Sequence, residues 1–171
     1  MSIQAYQSLI DQLCLHAGIE HPASMYEEAE FAINDAKFML CHAGKRAPHM
    51  AMVYCAFGPL LTTQRELALQ RLLETNVVLF GTPGSPFFSY HPESNEVLLN
   101  ASLFLAEASG LRVLEMLTAF SVVAREWRTT YFLEENATAR RPVTSSNGAV
   151  GARRNFARQF PTAVATQPQS N

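Results

Sequence analysis

Apolar residues step at helical spacing in three stretches of the chain and alternate with polar ones between them. Over residues 3–17, Ile3, Tyr6, Ile10, Leu13 and Ala17 follow a 3-4-3-4 spacing, one stripe of a helix that Leu9 and Cys14 widen. Ser2 is placed to cap its start and Gly18 to stop it. Residues 28–33 alternate, with Ala29, Phe31 and Ile33 on one face and Glu28, Glu30 and Ala32 on the other. Asn34-Asp35 is a tight-turn pair, and residues 38–43 read as a second strand with Phe38 and Leu40 on one face. Residues 50–57 are mostly apolar, which predicts a third, central strand ended by Gly58-Pro59.

A second helix is expected from Thr62 or Thr63 to about Asn76. Thr63 followed by Glu66 fits a capping box, and Leu69, Leu72, Leu73 and Asn76 share a face. Residues 87–90 and 96–103 then read as a hairpin across the turn 91–95. From 111 to 132, Leu114, Leu117, Phe120, Ala124, Trp127 and Tyr131 follow a 3-3-4-3-4 spacing, with Ser109 placed to cap this third helix. The order α-β-β-β-α-β-β-α predicts an α+β fold, an antiparallel five-stranded sheet with three helices on one side.

At 171 residues the chain allows one domain with an appendage. Its 48% hydrophobic and 16% charged residues exclude a wholly disordered chain or a coiled-coil rod. The net charge of −2 conceals a division: residues 1–135 hold all 15 acids and 8 of the 13 Lys and Arg, a balance of −7. Residues 136–171 hold Arg140, Arg141, Arg153, Arg154 and Arg158 and no acid, a balance of +5. An acidic body argues against a nucleic-acid-binding domain. The last stretch has no sustained apolar period, so the expectation is a domain over 1–135 and a basic, disordered tail over 136–171. Phe156 and Phe160, four apart, could anchor a short induced helix there. Residues 1–18 carry Asp11 and no basic n-region, and no apolar run approaches bilayer length. A cytoplasmic protein without stable membrane insertion is expected.

The candidate chemistry is sparse. Cys14, Cys41 and Cys55 form no CxxC and read as inert thiols in a reducing compartment. Adjacent Cys41 and His42 would point to opposite faces of a strand, so they do not form a nucleophilic pair. No zinc-ligand spacing is present, and Gly81-Thr82-Pro83-Gly84-Ser85 lacks the Lys of a phosphate-binding loop. Glu27, Glu28 and Glu30 read as a solvated face or an edge-strand guard. No enzyme and no cofactor are expected.

Three segments, in order, carry a family likeness: Arg71-Leu72-Leu73-Glu74-Thr75-Asn76, the stretch from Gly81 through Pro86, Phe88, Ser89, Pro92 and Ser94 to Leu99, and Trp127-Arg128. They resemble the LLExN segment, the G-x-P-x-F-S-x-x-P hairpin and the late W-R of the CesT/Tir-chaperone family, the class I chaperones of bacterial type III secretion. The resemblance covers residues 4–133. It implies a homodimer that binds the N-terminal region of a secreted effector, keeping it non-globular for delivery, with contact to secretion-apparatus components such as its ATPase. It implies that Leu69, Leu72 and Leu73 serve a dimer interface as well as core. The effector site is placed on the first helix and first three strands, with Leu9, Leu13, Phe31, Ile33, Phe38, Leu40 and Met50 as candidates that could each be plain core instead. The alternative is a non-catalytic α+β adaptor or regulatory ligand-binding module.

Overall fold

A computed structural model describes residues 2–20, 23–82 and 84–133. The expected tail, 136–171, lies outside the described residues. Helix α1 (Ser2–Ala17) is followed by β1 (Glu28–Ile33), β2 (Ala36–His42) and β3 (Met50–Pro59), then α2 (Arg65–Leu79), β4 (Phe87–His91), β5 (Glu96–Phe104) and α3 (Gly110–Thr130). The strands form one antiparallel sheet in the order β1-β2-β3-β5-β4, so the α+β architecture expected from the pattern is the one found. A short 3-10 turn at Ala23–Tyr26, which the pattern did not predict, leads into β1.

The hydrophobic core lies on one face of the sheet. Ala29 and Phe31 of β1, Phe38 and Leu40 of β2, Val53, Cys55 and Phe57 of β3, Val97 and Leu99 of β5 and Phe88 of β4 are all buried. They share one core with Tyr6, Ile10 and Leu13 of α1 and Val113, Leu117, Phe120 and Trp127 of α3. The helix stripes read from spacing are therefore the surfaces that drive burial. The two helices touch so closely at Gly110 that a Cβ there would lie 2.5 Å from the Gln12 backbone, and the Gln12 side chain accepts from the Gly110 N–H at 3.1 Å.

Polar links fix the helices on the sheet. The Tyr6 hydroxyl donates to the Leu40 carbonyl at 2.8 Å, and the Asn34 amide donates to Ser121 Oγ at 2.9 Å. Arg128 fastens the last turn of α3 to one end of the sheet. Its guanidinium donates to the carbonyls of Phe57 (3.0 Å), Asp35 (2.9 Å) and Ala56 (3.0 Å). Beside it, Trp127 is fully buried and meets Tyr131 and Phe132 edge-to-face, each at 5.2 Å. The late Trp-Arg pair thus acts as a closure for the helical layer.

Several boundaries differ from the expectation. No capping box opens α2: Gln64 stands in the left-handed conformation with no side-chain cap, and the helix starts at Arg65. Arg65 instead donates to Tyr90 Oη at 2.8 Å, so a tertiary contact sets the start. The helix runs past Asn76 to Leu79. Ser109 precedes α3 in extended backbone but makes no side-chain cap, and α3 ends at Thr130 with left-handed Tyr131 after it.

Candidate functional site

The two sheet edges are not equivalent. Asn34 and Asp35 both have positive φ, +48° and +65°, the signature of a two-residue type I′ hairpin between β1 and β2. In such a hairpin Ile33 and Ala36 exchange both ladder bonds, and pairing alternates from there. Phe31 and Ala29 therefore bond inward to β2, whereas Glu28, Glu30 and Ala32 turn their N–H and C=O groups outward. No described strand lies beyond β1.

At the opposite edge the outward groups of Phe88 are taken. Asn76 Oδ1 accepts from the Phe88 N–H at 2.6 Å, and Asn76 Nδ2 donates to the Phe88 carbonyl at 3.0 Å. One amide side chain imitates a neighbouring strand and closes β4 there. The approach to β4 is equally specific: Gly84 has φ +88°, and a Cβ on it would sit 2.8 Å from the Ser102 carbonyl oxygen.

Among the described residues, no helix covers the second face of the sheet. Met39 and Cys41 of β2, Met52 and Tyr54 of β3, and Leu98 and Phe104 of β5 project there. All six are half-buried, and none packs against the core. Glu28 and Glu30 border this face on β1, paired with Cys41 and Met39 across the ladder. Burial, and then Glu28, push the Cys41 thiol above its ordinary pKa. Cys41 and His42 do lie on opposite faces: His42 sits with Tyr6, ring to ring at 5.9 Å.

A second apolar surface lies on α2. Leu73 is 66% exposed, Val77 68% and Phe80 89%, a 4-3 spacing that makes one stripe, with Leu69 half-buried behind it. Phe87, 47% exposed, opens β4, the strand that α2 lies against. Stopping the predicted helix at Asn76 hid this stripe, although the spacing from Leu73 to Phe80 was readable.

The predicted site residues separate into two groups. Leu9, Leu13, Phe31, Phe38 and Leu40 are buried together between α1 and the sheet. Ile33 is half-buried at the end of β1, and Met50 is half-buried at the start of β3 on the second face, away from them. On α2, Leu72 is 4% exposed and belongs to the core, so it does not share Leu73's surface. The structure brings Leu73 to the outside, leaves Leu69 half-buried against the core, and adds Val77 and Phe80. The edge position expected for residues 28–33 is the one found, whereas the Met39–Met52–Tyr54 face was missed, because a half-buried alternation gives no sign of whether a helix will cover it. Among the described residues no helix is long and apolar enough to cross a membrane.

Neither a protein-family model nor a curated protein matches the sequence. Solved structures share the fold. A chain of the ExoT–SpcS complex from Pseudomonas aeruginosa is 20% identical with a TM-score of 0.54, over 71% of this chain and 96% of that one. A chain of the Yersinia pestis type III secretion chaperone SycH in complex with a stable fragment of YscM2 is 20% identical with a TM-score of 0.57, over 71% and 98%. A chain of the HopA1–SchA chaperone–effector complex is 15% identical with a TM-score of 0.59, over 75% and 97%. Over 71–75% of its length this chain thus shares the fold of chains from these three complexes.

Proposed function

We propose that the chain is a cytoplasmic type III secretion chaperone, without catalytic activity, that holds the N-terminal region of a secreted effector in extended form. The observation that carries this reading is the contrast between the sheet edges: β4 is capped by Asn76, and β1 is left open beside an apolar face. An extended client segment adds to such an edge through main-chain bonds and places alternate side chains on the second face. The fold shared with chaperone–effector complexes supports the same reading. Leu9, Leu13, Phe31, Phe38 and Leu40 support the client site from within, as the core beneath β1 and β2. Met50, on the second face, is the member of the predicted set that such a client reaches, whereas Ile33 packs against the core.

The second part of the reading is a homodimer joined through Leu69, Leu73 and Val77 of α2 and Phe80 just after it. Exposed aliphatic and aromatic residues in one stripe are costly in water and suit a self-complementary interface of roughly 1,200–2,000 Å². The test is co-expression with N-terminal segments of the secreted effectors of its own bacterium, followed by size measurement and limited proteolysis. A stable complex with the segment still protease-sensitive outside a short protected stretch is expected. Failure of every such segment to co-purify would end the chaperone reading.

A further inference from the structure

The second sheet face is an apolar surface with an acidic margin, and the same chain carries a segment of matching character. Met39, Cys41, Met52, Tyr54, Leu98 and Phe104 make up the apolar part, with Glu28 and Glu30 along one side and a single cation, Lys37, among the described strand residues of that face. Residues 153–160, Arg-Arg-Asn-Phe-Ala-Arg-Gln-Phe, hold three arginines, two phenylalanines and no acid. We propose that this segment, around Phe156 and Phe160, is the resting occupant of the second face, in cis, with its arginines toward Glu28 and Glu30.

Reach and charge both favour the chain's own segment. Arg128 ties the end of α3 to the carbonyls of Asp35, Ala56 and Phe57, so the described chain leaves from the end of the sheet where β3 carries Ala56 on the second face. Residues 134–152 span up to about 60 Å when extended, against roughly 33 Å for a ten-residue strand such as β3. The face is within range of its own tail without strain. A tethered segment also acts at an effective concentration of about a millimolar, far above that of a free partner. The body's balance of −7 against the tail's +5 gives the association its sign. Two phenylalanines over Met39, Met52 and Tyr54 supply contact that charge alone does not. The proposal goes beyond the chaperone reading and does not depend on it.

Cys41 lies on the proposed surface and is half-buried, whereas Cys14 and Cys55 are buried in the core, so alkylation by iodoacetamide reports on the face directly. The experiment uses the full chain with no client, and peptide mass spectrometry resolves the three thiols. If the segment is docked nine-tenths of the time, Phe156→Ser/Phe160→Ser speeds Cys41 labelling about tenfold, with Cys14 and Cys55 still protected. An unchanged Cys41 rate overturns the proposal. A wild-type rate that falls as protein concentration rises also overturns it, because the occupant is then a second copy. A charge exchange provides an independent check should the double variant expose all three thiols. Within the Glu28→Lys/Glu30→Lys background, adding Arg153→Glu/Arg154→Glu/Arg158→Glu slows Cys41 labelling again, and no slowing counts against the proposal. Because no client is present, a negative result leaves the chaperone reading standing.

Discussion

Asn76 bonds both backbone groups of Phe88, and the position is half-buried at the junction of α2 and β4. Asn76→Ala leaves a strand N–H and C=O without partners there, a loss of about 1–3 kcal/mol that thermal melting followed by circular dichroism would register. Asn76→Asp keeps the acceptor for the Phe88 N–H but sets a carboxylate against its carbonyl, so it recovers only part of the stability. Tyr6 makes a second residue-level prediction. Burial, with Cys41 and Glu28 adding to it, pushes its phenol up to about 12, and burial pushes the Cys55 thiol to about 12 as well. In both cases the folded protein favours the protonated form. Stability from these groups is complete below their unfolded pKa values and is lost as pH rises through the range up to about 12. Tyr6→Phe loses the bond to Leu40, about 1 kcal/mol at neutral pH. Its urea midpoint then falls less than the wild type's between about pH 8 and about pH 11, because the alkaline contribution of Tyr6 has gone.

At the scale of elements, α2 separates core from surface within two adjacent positions. Leu72 is packed inside, so Leu72→Asp buries a carboxylate without a partner and unfolds the chain. Leu73→Asp puts the same charge on the outer stripe. The expected outcome is a folded monomer by light scattering with an unchanged melting profile at low concentration, and a folded Leu73→Asp dimer would remove α2 from the interface. The strand β1 gives a matching test of the open edge. Ala32 turns its N–H outward, so Ala32→Pro deletes a donor facing a client while sparing the β1–β2 ladder. Client affinity falls, by isothermal calorimetry, with the fold retained; unchanged affinity would place the client elsewhere. These elements also show what the sequence made legible. The period of α1 and α3, the Asn34-Asp35 turn and the alternation of β1 all follow from local rules, and the structure has each of them. The start of α2 does not, because Arg65 is held by Tyr90, twenty-five residues on, and that contact overrides the Thr63–Glu66 pattern. Leu9, Leu13, Phe38 and Leu40 read equally as groove or core, since one apolar stripe serves either, and only the placement of α1 on the sheet buries them.

At the scale of the whole molecule, the two proposed surfaces occupy opposite ends of the strand order: the α2 stripe lies by β4 and the open edge is β1. A dimer joined through α2 therefore carries its two β1 edges on its outer flanks. Five strands make each sheet roughly 20 Å across, and two helices packed between them add about 10–20 Å. The edges then stand on the order of 50 Å apart, a gap that about 15 extended residues bridge at ~3.3 Å each. A client segment short enough for one edge binds one site; a segment carrying a second strand beyond such a bridge engages both copies and gains by effective concentration, not by any new contact. The long segment is accordingly expected to bind the wild type at least about tenfold more tightly than the short one. In Leu73→Asp that advantage disappears while the affinity for the short segment stays the same, because β1 is untouched. Calorimetric titration of both segments into both proteins gives the four constants needed. Loss of the short segment's binding in Leu73→Asp would mean that α2 touches the client itself, and an advantage that survives in the monomer would mean that one copy holds both strands.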